Sequence, residues 1–323
     1  MDDLDMIIVK NNYNLKKVVD IDIDKLKARL KVIKKYQKQL KILQTIPVIV
    51  QKTDEWFKAR ENMISASDFA QALNEGKFGT QKQLIMKKVK PTDDFKSNMF
   101  FEWGNLFESV ASDIYSVIHN NIKIYDFGLI KHPKLDFFGA SPDGISELGI
   151  MLEIKCPLRR KIIPGGDVPL QYYYQIQGQL DVCELNECDY FECEFILYSN
   201  YADFYNDNES IKGIILKKNN VSEYSKVYTK NIKYDNWSDD RPYDEMKCWR
   251  LNAYNLKRVH RDPIFLKEKL SALKIIWDNI VRYRINETDF TLEVLKSINI
   301  DTELLIEPTN NMRPKLTGYL FRD

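Results

Sequence analysis

The chain has 323 residues, 44% of them hydrophobic and 29% charged, enough apolar material to bury a full core and too much for a low-complexity or natively unfolded protein. A formal net charge of +1 excludes a global positive field, so any nucleic-acid contact must come from local patches. The acidic start MDDLDMIIVK has no apolar core of a secretory signal, no run reaches membrane-spanning length, and five cysteines include no C-x-x-C pair, so the expectation is a soluble intracellular protein with reduced thiols.

In chain order, Leu26, Leu30, Ile33, Leu40 and Leu43 predict a helix over about 24–44, capped by Asp24. Its other face reads Lys25, Lys27, Arg29, Lys31, Lys34, Lys35, Lys38 and Lys41, with no acid among them. That face is either solvated or also follows a phosphate backbone. Residues 46–50 are extended. Asp54 is expected to cap the segment Glu55-Trp56-Phe57-Lys58-Ala59-Arg60, and Ser67 a second helix running toward Leu73. A helix N-terminus with free N–H groups, a hydroxyl and a nearby arginine suits a phosphate, and the plainer reading is a cap beside a surface arginine.

A helix over 101–118 buries Phe107, Val110, Ala111, Ile114, Tyr115 and Ile118. Glu108 sits at the edge of that stripe, where an acid must be neutralised, paired or metal-bound. Strands are expected at 122–131 and 136–140, the second delivering Ser141 and Asp143. Pro142-Asp143-Gly144 reads as a turn, and Ile150-Met151-Leu152 opens a strand on which Glu153 and Lys155 share a face while Ile154 points to the core. A hairpin returning Asp143 to that face gathers two carboxylates and an ammonium. Two fixed carboxylates are a hard-oxygen site for Mg²⁺ or Mn²⁺, and a lysine beside them can position a water or offset charge on a phosphate.

Arg159, Arg160 and Lys161 form a basic cluster before a helix over 170–183 with Tyr173, Ile176, Leu180 and Cys183 inward. Gln177 borders that inward face and Gln175 points away from it. Strands follow at 188–198 and 211–217, with loops at 199–207 and 222–244. A long helix from 262 or 263 carries Leu266, Leu270, Leu273, Ile276, Trp277, Ile280 and Val281. The last forty residues read as small helices or a tail. Cys183, Cys188 and Cys193 are evenly spaced, which raises an iron–sulfur site, but their place on a strand and its approach favours buried thiols.

Pro142-Asp143, nine residues, then Glu153-Ile154-Lys155 resembles the PD-(D/E)xK nuclease superfamily. Trp56 and Arg60 through Ser67, Trp103-Gly104-x-x-Phe107-Glu108, Ser141-Pro142-Asp143-Gly144, Glu153-Ile154-Lys155-Cys156-Pro157 and Gln175-Ile176-Gln177 follow in order over 55–198. Together they resemble its lambda-exonuclease or YqaJ-type viral recombinase branch. Trp249-Arg250-Leu251, Arg261-Asp262 and the helix over 265–277 resemble the C-terminal part of YqaJ-type viral members. The basic N-terminal helix and residues 199–245 fall outside the short phage form.

The resemblance implies an α/β, restriction-endonuclease-like core with a central mixed β-sheet flanked by helices and with helical N- and C-terminal additions, divided as 1–45, 46–217 and 218–323. It implies Asp143 and Glu153 as metal ligands, Glu108 as a third acid, Ile154 as a ligand through its carbonyl, Lys155 as the catalytic lysine and Gln177 as its support. Arg60, Ser67 and Ser141 would bind a terminal 5′-phosphate, with Arg159 and Arg160 as further DNA contacts. The implied cofactor is a pair of Mg²⁺ ions, with Mn²⁺ able to substitute. The implied activity digests one strand of duplex DNA from a free 5′ end to 5′-mononucleotides, in viral recombination, repair or replication, in host cytoplasm or a virus factory. Partners would be duplex DNA with free ends, a single-strand annealing protein, and further copies of the chain in a ring. The alternatives are a structure- or sequence-specific endonuclease of the same chemistry and an inactive DNA-binding adaptor. Three crowded charges at Asp143, Glu153 and Lys155 speak against the adaptor, since binding alone does not need them.

Overall fold

The computed structural model describes residues 23–91, 98–229, 237, 241–286 and 288–291. The acidic start, the side chains of Lys25 and Leu26, most of the expected loop after 229 and the expected small helices or tail beyond 291 lie outside the described residues. Two compact units divide the chain, Met1–Trp277 and Asp278–Asp323. Among the described residues no helix is long and apolar enough to cross a membrane.

Helix α1 (Ile23–Leu43) places Asp24 inside its first turn. Ile33, Tyr36, Leu40 and Leu43 recur at intervals that keep one face, and all four are buried. Arg29, four residues before Ile33, lies on this inward face and not with the lysines. Its guanidinium pairs with Glu187 (Nη2 to Oε2, 2.6 Å), and the Tyr36 hydroxyl donates to the other oxygen at 3.1 Å.

Both expected caps move by one or two residues. Thr53 caps α2 (Asp54–Glu61), its hydroxyl accepting from Trp56 N at 3.3 Å. Ser65 precedes a 3-10 turn, Ala66–Asp68, that enters α3 (Phe69–Ala72). A cap must stand where the backbone is still extended; Ser65 is there, at φ −89 and ψ 159, while Ser67 is already inside the turn. Helix α4 (Gln81–Val89) follows, then α5 (Met99–Ile118), capped by Asn98, whose side chain accepts from Phe100 N and Phe101 N at 3.0 Å each.

The strands are β1 (Ile64–Ser65), β2 (Ile124–Tyr125), β3 (Ile130–Lys131), β4 (Phe138–Ala140), β5 (Gly144–Ser146), β6 (Met151–Lys155), β7 (Glu187–Leu197), β8 (Lys212–Lys218), β9 (Val221–Tyr224) and β10 (Glu245–His260). The small sheet has the order β1-β4-β3; the large one is β2-β5-β6-β7-β10-β8-β9, mixed, with β6 and β7 parallel and joined through α6 (Leu170–Val182). Parallel neighbours need such a crossover. Strand β10 lies between β7 and β8, so the expected division after residue 217 cuts a continuous sheet. That pairing joins residues far apart in the chain and leaves no mark on the local pattern. Helices α7 (Tyr201–Asn206) and α8 (Pro263–Ile285) complete the regular elements.

One face of the large sheet carries α5. Phe107, Val110, Ala111, Ile114 and Tyr115 are buried against Leu152, Ile154, Phe191, Cys193, Phe195 and Trp249, and the Phe107 and Phe195 rings stack with centroids 4.4 Å apart. Ile118 is half-buried. On α6, Gly178 lets the helix approach the 3-10 turn; a Cβ there would stand 2.9 Å from the Phe138 ring and 3.2 Å from Ala66 Cβ. All five cysteines are free and buried, which fits thiols in the core and no disulfide.

Asp143-Gly144 is not the hairpin turn. Gly144 opens β5, and the chain reverses at 147–150, where Gly149 has φ +72 and its missing Cβ would meet the Tyr36 backbone at 2.5 Å. Only glycine meets both conditions.

A charged cluster ties α1 to the sheet. Arg258 on β10 holds Asp189 with two bonds, of 2.6 and 2.8 Å, and Glu187 with one of 2.8 Å; Tyr115 donates to Asp189 at 2.6 Å. Burial pushes the Glu187 carboxyl up, but Arg29 and Arg258 outweigh it and hold it below its ordinary 4.5. Asp181 behaves alike, with burial opposed by His132 and Arg261, and falls below its ordinary 3.8. A depressed folded-state value means the unfolded chain binds more protons through that interval, so the stabilisation is present above the unfolded value and fades as pH falls through the folded one. Thermal melts should therefore show little change between pH 7 and 5 and a falling Tm between about pH 4 and 3. A Tm that holds to pH 3 would mean these pairs contribute nothing to stability.

Candidate active site

Strand β6 sits inside the sheet, and alternation sends Glu153 and Lys155 to one side. Glu153 is fully buried. One of its oxygens contacts the Lys155 ammonium and the other accepts from Gln179 Nε2 at 2.8 Å. Asp143, just before β5, accepts from Ile154 N at 2.7 Å. The expected convergence of Asp143, Glu153 and Lys155 is present.

The electrostatics follow from crowding. Burial, and then the Glu153 charge, push Asp143 well above the usual carboxylate range; Lys155 opposes this and Glu108 adds to it. Burial works against the Lys155 charge, but Glu153 and Asp143 outweigh it and raise the ammonium above its ordinary value. A cleft of about 560 Å³ opens onto the group. Glu108, Asp143, Ile154 and Lys155 line it, with Phe100 and Arg159 among the other residues. Gly104 on α5 also lines it and has no heavy atom within 4 Å of the place a Cβ would take, so the helix presents bare backbone there.

Carboxylate and carbonyl oxygens at Asp143, Glu153 and Ile154 suit a hard divalent cation, and a cation would remove the repulsion that favours a protonated Asp143. Glu108 shares the cleft but is drawn to Lys52 at 3.4 Å. Among the described residues no group of three or more His, Cys, Asp and Glu side chains is assembled as a metal site. The donor pair fits, and Glu108 is not gathered to it.

The expected phosphate residues form one connected set, joined by hydrogen bonds and by a guanidinium over an indole ring. Arg60 Nη2 donates to Ser65 Oγ and Ser67 Oγ at 2.9 Å each, its guanidinium lies 4.3 Å from the centre of the Trp56 ring, and Trp56 Nε1 donates to Ser141 Oγ at 2.9 Å. Beneath them Lys88 donates to the Arg60 carbonyl at 2.6 Å and lies 3.2 Å from Asp68. Burial raises Asp68, but Lys88 and Arg60 outweigh it and keep the carboxyl well below its usual range. Asp68 in turn accepts from Ser65 N at 3.1 Å and Ser65 Oγ at 2.7 Å. Ser65, Asp68 and Lys88 went unseen in the sequence. Nothing local marks a buried lysine on α4 as the partner of an acid twenty residues earlier.

Two expectations change. Gln177 does not reach Glu153: it donates to the His260 carbonyl at 2.8 Å and accepts from Asp262 N at 2.7 Å, clamping the end of β10 to the start of α8. The glutamine at Glu153 is Gln179. On a wheel of about 100° per residue the two flank the apolar stripe symmetrically, so periodicity could not choose between them. Arg160 is committed to Glu192, which also accepts from the Tyr190 hydroxyl at 2.5 Å. Arg159 remains at the rim, 5.2 Å from the Phe100 ring centre. Because Gln179 holds one oxygen of Glu153, Gln179→Leu should lower the single-turnover cleavage rate about tenfold and cost about 1–3 kcal/mol of stability for the buried oxygen left without its donor. An unchanged rate would reduce Gln179 to a packing residue.

Residues 55–186 match the YqaJ-like viral recombinase domain. Over that stretch the chain is similar to the YqaJ-like viral recombinase family. The matched stretch contains Arg60, Glu108, Asp143, Glu153, Lys155 and Gln179. The chain is also 26% identical over 303 residues to an uncharacterized protein of Acanthamoeba polyphaga mimivirus, an alignment covering 76% of this chain and 55% of that protein. The chain thus spans about half the length of this viral relative. In three dimensions it is similar to an alkaline exonuclease from Laribacter hongkongensis, with a TM-score of 0.50 and 20% identity over 75% of this chain and 100% of that one. The same exonuclease in complex with dAMP matches with a TM-score of 0.49 and 19% identity over the same shares. The first of these likenesses concerns the fold alone, a mixed sheet flanked by helices.

Proposed function

We propose that this protein is a Mg²⁺-dependent exodeoxyribonuclease that digests one strand of linear duplex DNA from its 5′ end to mononucleotides, in viral DNA recombination, repair or replication. The observation that carries the reading is the meeting of half-buried Asp143 and Lys155, which line an open cleft, with the fully buried Glu153 beside them. Three charges crowded together around a fully buried carboxylate are costly and point to a chemical use.

Asp143, Glu153 and the Ile154 carbonyl would hold the metal, two ions in the full site, with Mn²⁺ able to substitute and Glu108 turning from Lys52 to join them. The bound cation supplies Lewis acidity, lowering the pKa of the attacking water and offsetting charge on the departing oxygen. Lys155 is placed to stabilise the extra negative charge on the phosphate as the transition state forms. Gln179 keeps Glu153 from rotating. An annealing protein and a ring of copies belong to the same proposal.

The test is a time course on linear duplex labelled at one 5′ end, beside a closed circle, in Mg²⁺ and in excess EDTA. Release of labelled mononucleotide from the linear substrate alone, abolished by EDTA, is expected. Cutting of the closed circle would favour an endonuclease, and no cutting of either would favour the adaptor.

End recognition belongs to the set around Arg60. A terminal 5′-phosphate carries more charge than an internal diester and can take the place of Ser65 and Ser67 as the acceptor for Arg60. Binding there sets the register of the strand at the cleft. Arg60→Ala should therefore cut the preference for 5′-phosphate over 5′-hydroxyl ends by roughly 10- to 100-fold, at fixed salt, with hydroxyl ends little affected. Equal losses on both substrates would make Arg60 a general or structural contact.

A further inference from the structure

Helix α1 carries a second feature that the cleft does not use. Lys27, Lys31, Lys34, Lys38 and Lys41 are spaced 4, 3, 4 and 3 residues apart, which keeps them in one row along the helix for about 21 Å. Lys35 lies beside the row, and all six are exposed. They stand opposite Ile33, Tyr36, Leu40 and Leu43, which the core buries. The inward face is also pinned by polar bonds: Gln37 donates to the Glu147 carbonyl at 3.1 Å and Gln39 to the Cys183 carbonyl at 2.9 Å. The helix therefore cannot roll to hide its lysines.

Among the described residues the row is not balanced where it stands, and the carboxylate it meets is Asp24, 3.8 Å from Lys27 and itself exposed. Like charges at three- and four-residue spacing repel and weaken a helix. The chain as a whole is nearly neutral, so this is a local concentration of one sign, and it serves no packing purpose. Its inward face belongs to the core, which leaves no apolar side for a lipid surface. Lysines are compact point charges without the planar fork that reads bases or carboxylates, so a row of them suits a repeating anion regardless of sequence.

We propose that this lysine row is a second docking surface for DNA, holding the phosphate backbone of a duplex by counter-ion release and needing no free end. It goes beyond the functional reading above and takes from it only the identity of the polyanion. Duplex DNA presents one charge per roughly 1.7 Å of axis, dense enough to engage every lysine of the row. Attached there, the protein stays on a long duplex between encounters of the cleft with its end.

The test uses the full chain and covalently closed circular duplex, which offers no end to the cleft. Binding is measured from 50 to 200 mM KCl for wild type, for a variant with all six lysines replaced by glutamine, for one with Lys34, Lys38 and Lys41 alone replaced by glutamine, and for one with all six replaced by arginine. Each phosphate contact contributes about 0.9 to the slope of log affinity against log salt. The six-fold glutamine variant should lose about 4 to 5 from that slope and bind at least tenfold more weakly at 100 mM KCl, the three-fold variant about half as much, and the arginine variant neither. A slope within about one of wild type in the six-fold glutamine variant would overturn the proposal. So would an arginine variant that loses as much as the glutamine one, or a row that is needed for vesicles of phosphatidylserine and phosphatidylcholine but not for the circle. Digestion of a short linear duplex in Mg²⁺ by the same preparations reports the cleft separately. Its absence in wild type would sink the nuclease reading and leave the slope comparison standing.

Discussion

Glu153→Ala should abolish cleavage, more than about 10³-fold, and Lys155→Ala should cost on the order of 10²–10³ in rate while leaving the metal bound. The two side chains touch, but they enter the reaction differently. In the proposed site Glu153 would supply an oxygen to the cation in every state, so removing it would empty the site. Lys155 would answer charge that grows only as the phosphate is attacked, so its loss would fall mainly on the chemical step. Because Glu153 is fully buried beside Lys155, Glu153→Gln is the companion variant that keeps the volume and the hydrogen bond to Gln179 while removing the charge. Single-turnover rates and Mg²⁺ calorimetry on the three proteins check this. If Lys155→Ala lost the metal as fully as Glu153→Ala, the two roles would be wrongly divided.

Arg258→Met should destabilise the fold by about 3 kcal/mol or more, read as a lower urea midpoint at unchanged slope. Its guanidinium meets Asp189 twice and Glu187 once, and the two carboxylates are almost without solvent. Removing the cation leaves them buried with less than they need, and the penalty is the stranded charge more than the lost contact. Arg29→Met should cost less, because Arg29 is more exposed and Arg258 still answers Glu187. Equal small effects from both would mean that water reaches the cluster freely.

Much of the site was legible because its signal is local. Asp143, Glu153 and Lys155 stand within thirteen residues on a short strand and its approach, and strand alternation alone puts Glu153 and Lys155 on one face. The stripe of α5 was legible for the same reason: the buried residues Phe107, Val110, Ala111, Ile114 and Tyr115 follow the helical period. Arg60, Ser67 and Ser141 were named from a resemblance, and the structure joins them through Trp56.

What the chain could not disclose by itself concerns choices between equivalent local positions. Gln177 and Gln179 flank one stripe symmetrically, and only the placement of α6 over β6 turns Gln179 toward Glu153 and Gln177 toward the end of β10. Arg29 reads as one more basic residue of α1 until Glu187, far along the chain, is brought beneath it. Lys88 and Asp68 become a pair only when α4 folds under the Arg60 segment. Strand β10 finds its place between β7 and β8 through hydrogen bonds with residues in two other parts of the sequence. Periodicity and turn chemistry are properties of neighbouring residues, so the amino-acid sequence determined helices α1, α5, α6 and α8 and the Glu153 and Lys155 pair on β6. Which polar side chain meets which charge depends on how those elements pack, and that was decided by the tertiary structure.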